Sequence, residues 1–248
     1  MHGISWEKRS NKVSVLYRRI LLKLSGEALA GSRGYGFDPA ILDSLAGAVV
    51  DAVRMGVQVS IVVGAGNIFR GQDSAIAADR VSADQMGMLA TYMNALALKG
   101  TFERAGLLCT ALGAFPIPTI VDVYTAQTAR ELLDKGEVVI FGGGTGCPYF
   151  TTDTAAALRA LEIQADVLVK ATKVDGIYDK DPVKHKDAVF YPELTYDQVL
   201  RMDLKVMDLT AISLCRDNDL TVRVISIRNP NNLIRMLMGE KIGSIVTA

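Results

Sequence analysis

Short apolar runs rich in valine, isoleucine and leucine alternate along the chain with longer stretches whose apolar residues recur every three or four positions. Residues 20–22, 57–63, 107–111, 138–141, 166–169, 222–227 and 245–246 read as buried strands. Ile41, Leu42, Leu45, Val49 and Val53 keep helical spacing, with Asp38 as N-cap, Pro39 at the first helical position and Gly56 as the stop. Further helices are predicted over 84–104, 127–133, from near Thr154 to Glu162, and over 196–202, 208–216 and 231–238. In the helix over 84–104, Met86, Leu89, Met93 and Leu96 share one side, a stripe that reads equally as core or as an oligomer contact. Helices alternating with β-branched runs predict an α/β fold, a three-layer α/β/α sandwich around a mainly parallel sheet. Residues 1–15 read as a fraying tail and 16–248 as one domain, with halves at 16–165 and 166–248.

Ligands of such sheets bind at the carboxyl ends of strands. Four loops lie there: 23–26, 64–70, 142–153 and 170–181. The chain is organised around the third, where residues 138–141 run into Gly142, Gly143, Gly144 and Gly146, followed by hydroxyl residues and Asp153. Glycines let backbone N–H groups approach a ligand closely, and a helix N-terminus favours anions, so the combination suits a nucleotide phosphate. Lys23 beside Ser25 and Gly26, and Arg70 after Gly64 and Gly66, add cations of the kind that grip phosphate.

Composition narrows the ligand. Half of the 248 residues are hydrophobic, enough for a sizeable core. Lysine plus arginine and aspartate plus glutamate both number 27, so no basic excess points to nucleic acid. Cys109, Cys147 and Cys215 show no disulfide or metal spacing, and His2 and His185 cannot cluster, which predicts no protein metal site and fits a cytoplasmic location. Residues 1–15 have no apolar stretch of signal type, and Arg18 and Arg19 interrupt 13–24, so no membrane segment is expected. A P-loop motif is absent, and a dinucleotide fingerprint would need glycine at Phe69 or at Cys147.

Several ordered motifs carry a resemblance: Lys23-Leu24-Ser25-Gly26-Glu27, residues 64–71, Asp84-Gln85-Met86-Gly87-Met88, residues 145–153, residues 170–181, Val206-Met207-Asp208 and Met238-Gly239-Glu240-Lys241. From about residue 17 to its end the chain resembles the amino acid kinase family, in its UMP-phosphorylating branch. The resemblance implies transfer of the γ-phosphoryl of ATP to UMP. Lys23, Leu24, Ser25, Gly26, Gly66 and Arg70 would meet the ATP phosphates; Thr172, Tyr178 and Asp181 would hold its nucleoside. Ala65, Asp84, Thr145, Gly146, Cys147, Pro148, Tyr149, Phe150, Thr151 and Thr152 would bind UMP. Ala65 stands where glycine is expected, tolerable at negative φ, and Cys147 where asparagine is common. Lys23, Lys170, Asp153 and Arg70 would form the catalytic set, with Mg²⁺ carried on the ATP phosphates. The family implies a homohexamer and feedback inhibition by UTP. Lys99, Glu103, Thr110 and Glu137 fall where some members present basic or imidazole groups to GTP, and only Lys99 keeps the charge, which argues against activation by GTP. Two alternatives share the fold: a nucleotide-binding regulator without turnover, and a sibling kinase acting on a carboxylate or carbamate.

The acceptor chemistry needs no histidine. A nucleoside monophosphate has its second pKa near about 6, so it is largely dianionic at neutral pH. Lys23 and Lys170 could flank the moving group, and Asp153 would orient them without taking a proton.

Overall fold

The computed structural model describes residues 14–69 and 79–248; Arg70 and most of the expected tail lie outside them. Eleven strands are described: β1 (Arg19–Leu24), β2 (Gln58–Val63), β3 (Cys109–Gly113), β4 (Asp122–Val123), β5 (Val138–Gly142), β6 (Val167–Thr172), β7 (Ile177–Tyr178), β8 (Phe190–Tyr191), β9 (Glu193–Thr195), β10 (Val222–Ser226) and β11 (Ser244–Thr247). The helices are α1 (Gly26–Leu29), α2 (Pro39–Arg54), α3 (Arg80–Arg104), α4 (Ala126–Asp134), α5 (Thr152–Glu162), α6 (Tyr196–Arg201), α7 (Leu209–Asp217) and α8 (Asn231–Leu237). Nine strands form one sheet in the order β4-β3-β5-β2-β1-β6-β10-β11-β9, with only the β10–β11 pairing antiparallel. β7 and β8 pair separately as a hairpin.

The two-residue period of a strand sorts its side chains onto two helix layers. Ile20, Leu22 and Leu24 of β1 pack with α2, α3 and α8, whereas Leu21 packs with α4, α5, α6 and α7. In β6, Val167, Val169 and Ala171 take the first face and Leu168 the second. Both faces are therefore dry, which is why the central strands are continuously apolar, and the expected three-layer sandwich is the observed one. Leu45 and Val49 of α2 are buried in the first layer, and truncating a residue such as Leu45 to alanine costs about 2–5 kcal/mol.

Local chemistry moved several boundaries. α3 begins at Arg80, four residues before the expected 84, because the Asp79 carboxylate accepts from the Ser82 N–H at 2.8 Å. The strand read at 107–111 lies instead at Cys109–Gly113, since the Leu107 N–H still closes the end of α3 on the Phe102 carbonyl. α5 starts at Thr152 under a Thr151 cap, so Asp153 stands in its first turn and not in the preceding loop. On α3 the core face is Ala95, Leu98 and Phe102, and Met86, Leu89, Met93 and Leu96 are 37–55% exposed. The core reading of that methionine stripe is thereby excluded for the described chain.

Candidate active site

β1 and β6 are neighbours, and their register places Lys23 directly beside Lys170. Both side chains fall on the α5 side of the sheet, since each has the parity of its neighbour Leu21 or Leu168. The first turn of α5 brings Asp153 over them. Lys23 Nζ lies 2.6 Å from Asp153 Oδ1, and Lys170 Nζ lies 2.8 Å from Oδ2. The Lys170 contact is an aligned hydrogen bond, and the Lys23 contact is an ion pair without hydrogen-bond alignment. Lys170 also donates to the Val206 carbonyl.

The electrostatics follow from burial. Desolvation pushes the Asp153 carboxyl up, but the ammonium groups of Lys23 and then Lys170 outweigh it and hold its pKa below the ordinary value. Burial pushes Lys170 down; Asp153 opposes the shift and Lys23 adds to it, so its pKa stays below that of a free lysine. Two cations share Asp153 as their paired anion where water is scarce, with Asp208 a weaker influence on Lys170, an arrangement suited to phosphate.

A second carboxylate fixes the helix that carries Asp153. Asp208 caps α7 through the Ala211 N–H and accepts from the hydroxyls of Thr151 and Thr154 at the start of α5. Asp208 and Val206 belong to one of the motifs singled out in the sequence, but no role could be assigned there, because their partners come from more than 30 residues away.

The first two loops pack backbone to backbone. A Cβ on Gly26 would stand 2.5 Å from the Gly66 nitrogen and 2.6 Å from the Gly64 carbonyl oxygen, so only glycine fits. Asn67 and Asn94 bind each other through both amides, and Asn94 also donates to the Gly64 carbonyl. Sequence reading missed both asparagines; a buried Asn in the core stripe of a long helix was the available signal. Ala65 stays out of the left-handed region, as its departure from glycine requires.

Two cavities lie near the cluster, one lined by Lys170 and the other by Thr152 beside Asp153. One, of about 450 Å³, is lined by Ala65, Gly66, Asp84, Thr145, Phe150, Thr151 and Thr152 among the expected residues, and also by Glu27, Arg80 and Thr91. Asp84 accepts from Arg80 Nε and from the Tyr149 N–H at 2.7 Å, while the Arg80 guanidinium stands 5.4 Å from the Tyr149 ring centre. Tyr149 has φ 72°, a conformation that costs a non-glycine residue about 1–3 kcal/mol. Arg80 was missed because the helix was started after it. Gly146, Cys147, Pro148 and Tyr149 lie outside this lining, on the turn that carries it. The other cavity, of about 350 Å³, is lined by Lys170, Thr172, Tyr178, Asp181 and Lys205. Leu24 is fully buried in the core, leaving only its backbone near the edge. Among the described residues, no cluster of three or more His, Cys, Asp or Glu could hold a metal ion.

A parallel sheet whose carboxyl edge sets two largely shielded lysines on one carboxylate, one of them lining a cavity, has the form of a phosphate-handling site. Residues 18–226 match the amino acid kinase family, and the chain belongs to it. It is 52% identical over 231 residues to the uridylate kinase of Xanthomonas oryzae pv. oryzae, covering 93% of this chain and 96% of that one. With the uridylate kinase of Alcanivorax borkumensis it shares 51% identity over 250 residues, 100% and 99% of the two chains. The crystal structure of UMP kinase from Bacillus anthracis superposes with a TM-score of 0.90 at 37% identity, over 93% of this chain and 96% of that chain.

Proposed function

We propose that this protein transfers the γ-phosphoryl group of ATP to UMP, giving UDP and ADP for pyrimidine nucleotide synthesis. The observation that carries the reading is the Lys23–Asp153–Lys170 cluster, whose Lys170 lines one cavity while Thr152, next to Asp153, lines the other. The cavity holding Asp84 and Thr145 takes UMP, and the one holding Thr172, Tyr178 and Asp181 takes the ATP nucleoside. Ser25, Gly26 and Gly66 present backbone to the phosphates, and Arg70, outside the described residues, is assigned to them by the family resemblance alone. Phosphoryl transfer asks mainly for alignment and for neutralising charge on the moving group. Both lysines supply that charge, and Asp153 fixes where their Nζ atoms stand. Mg²⁺ would be held by the ATP phosphates, not by these side chains, and would supply further charge neutralisation to them. The acceptor arrives ionised, so no residue takes its proton.

The exposed stripe of Met86, Leu89, Met93 and Leu96 on α3 supports assembly of copies through a two-fold contact, within the hexamer that the family resemblance implies. UTP, a uridine nucleotide, would compete at the acceptor cavity. Lys99 lies 3.5 Å from Glu103, and Thr110 donates to Glu137, so the expected GTP position carries carboxylates, against activation by that anion. No helix among the described residues is long and apolar enough to cross a membrane, and all three cysteines are free, in keeping with a cytoplasmic enzyme.

The test is a competition among UMP, CMP, AMP and GMP as acceptors with Mg-ATP. UMP is expected to have the highest kcat/KM by at least tenfold, and equal values for CMP and UMP would refute the acceptor assignment.

A further inference from the structure

We propose that a third cavity, between α2 and α8 on the other face of the sheet, is a second ligand site for a small organic anion with an apolar body. The cavity opens to solvent and has a volume of about 370 Å³, within the range of small-molecule clefts. Its floor is apolar and buried: Leu22, Ala171 and Ile225 from the strands, Leu45 and Ala48 from α2, and Leu233 from α8. Its rim carries Lys173 and the exposed Arg228, and no Asp or Glu lines it. An apolar hollow of this size with a few convergent polar groups is the usual form of a small-molecule site.

The charge pattern selects the ligand. Arg228 forms no ion pair among the described residues, and Lys173 pairs with Glu27 only loosely, at 3.6 Å and half exposed. A bound anion would meet both cations without displacing a close pair, and the floor would shelter an aromatic or branched body. Strand alternation separates this site from the reaction: Lys170 and Thr172 face the nucleotide side, and Ala171 between them faces the cavity. The ligand is therefore expected to bind alongside both substrates. Glu27 joins the two regions, because it pairs with Lys173 and lines the UMP-side cavity.

The probe is 8-anilinonaphthalene-1-sulfonate, an aromatic monoanion whose fluorescence rises on burial. Titration of the full-length protein should show one saturable site per chain that persists at saturating Mg-ATP and UMP. Ala48→Phe fills the floor, Arg228→Glu reverses the rim charge, and each should weaken binding at least tenfold. Arg228 is exposed, so its variant keeps the test decisive even where Ala48→Phe disturbs folding. Absence of a saturable site, displacement by ATP or UMP, or wild-type affinity in Arg228→Glu would overturn the proposal.

Discussion

Replacing Asp153 by asparagine keeps the shape of the α5 first turn and removes the one anion that both lysines face. The side chains of Lys23, Lys170 and Asp153 are only 10%, 17% and 14% exposed, so water cannot take over the pairing. Leaving buried charges without their partner costs about 3–5 kcal/mol. At about 2–4 °C per kcal/mol for a domain of this size, the thermal midpoint should fall by about 6–20 °C. The lost anion can be returned by a ligand: the ATP triphosphate should raise the midpoint of Asp153→Asn by more than it raises that of the wild type. The loss should also depend on pH. The folded pKa of Asp153 lies below the ordinary 3.8, so its carboxylate stabilises fully above that value and the contribution fades as pH falls through the folded pKa. Wild type and variant should therefore differ most at neutral pH and converge in acid. Differential scanning fluorimetry at fixed protein concentration, with and without ATP, reads all three effects. A variant that melts within 2 °C of wild type and gains no extra stability from ATP would show that Asp153 does not anchor the lysines.

Lys170→Met should lower kcat by about 10²–10³-fold, the usual loss for one group stabilising transition-state charge. Because the folded pKa of Lys170 lies below the ordinary 10.5, its protonation opposes folding, and wild-type stability relative to this variant should rise with pH across the alkaline window up to that value; a flat difference in urea unfolding would contradict the burial argument. Gly26→Ala should raise KM for ATP at least tenfold and lower stability by about 1–3 kcal/mol, since the new methyl meets backbone atoms of the neighbouring loop; steady-state kinetics unchanged in ATP would show that the two loops part freely. Met93→Glu, on the exposed side of α3, should reduce the mass seen by light scattering without unfolding the chain, and an unchanged mass would remove this helix from the assembly contact.

The layers were legible because strand and helix periods differ and both faces of the sheet are apolar. The cluster was legible only in part. Lys23, Asp153 and Lys170 could be picked out by type and position, but their meeting depends on the β1–β6 register and on where α5 starts. Asp153 looked like a loop residue until the Thr151 cap placed it within a helix. Arg80 was lost for the same reason, because Asp79 as N-cap was not seen. Asp208, Asn67 and Asn94 act through partners distant in sequence, and no periodicity reports such contacts. The β7–β8 hairpin that carries Tyr178 was read as loop, since two-residue strands leave no alternation to detect.

In the proposed mechanism charge positioning, without a protein base, drives transfer to an already ionised acceptor. Its most direct test is the acid limb of the kcat/KM profile measured with UMP and with uridine 5′-thiophosphate, whose second ionisation lies lower. The limb should move to lower pH with the analogue and should persist in Asp153→Asn, because it reports the acceptor. A limb that stays fixed between acceptors and vanishes in Asp153→Asn would make Asp153 the base and rule out transfer by charge positioning alone.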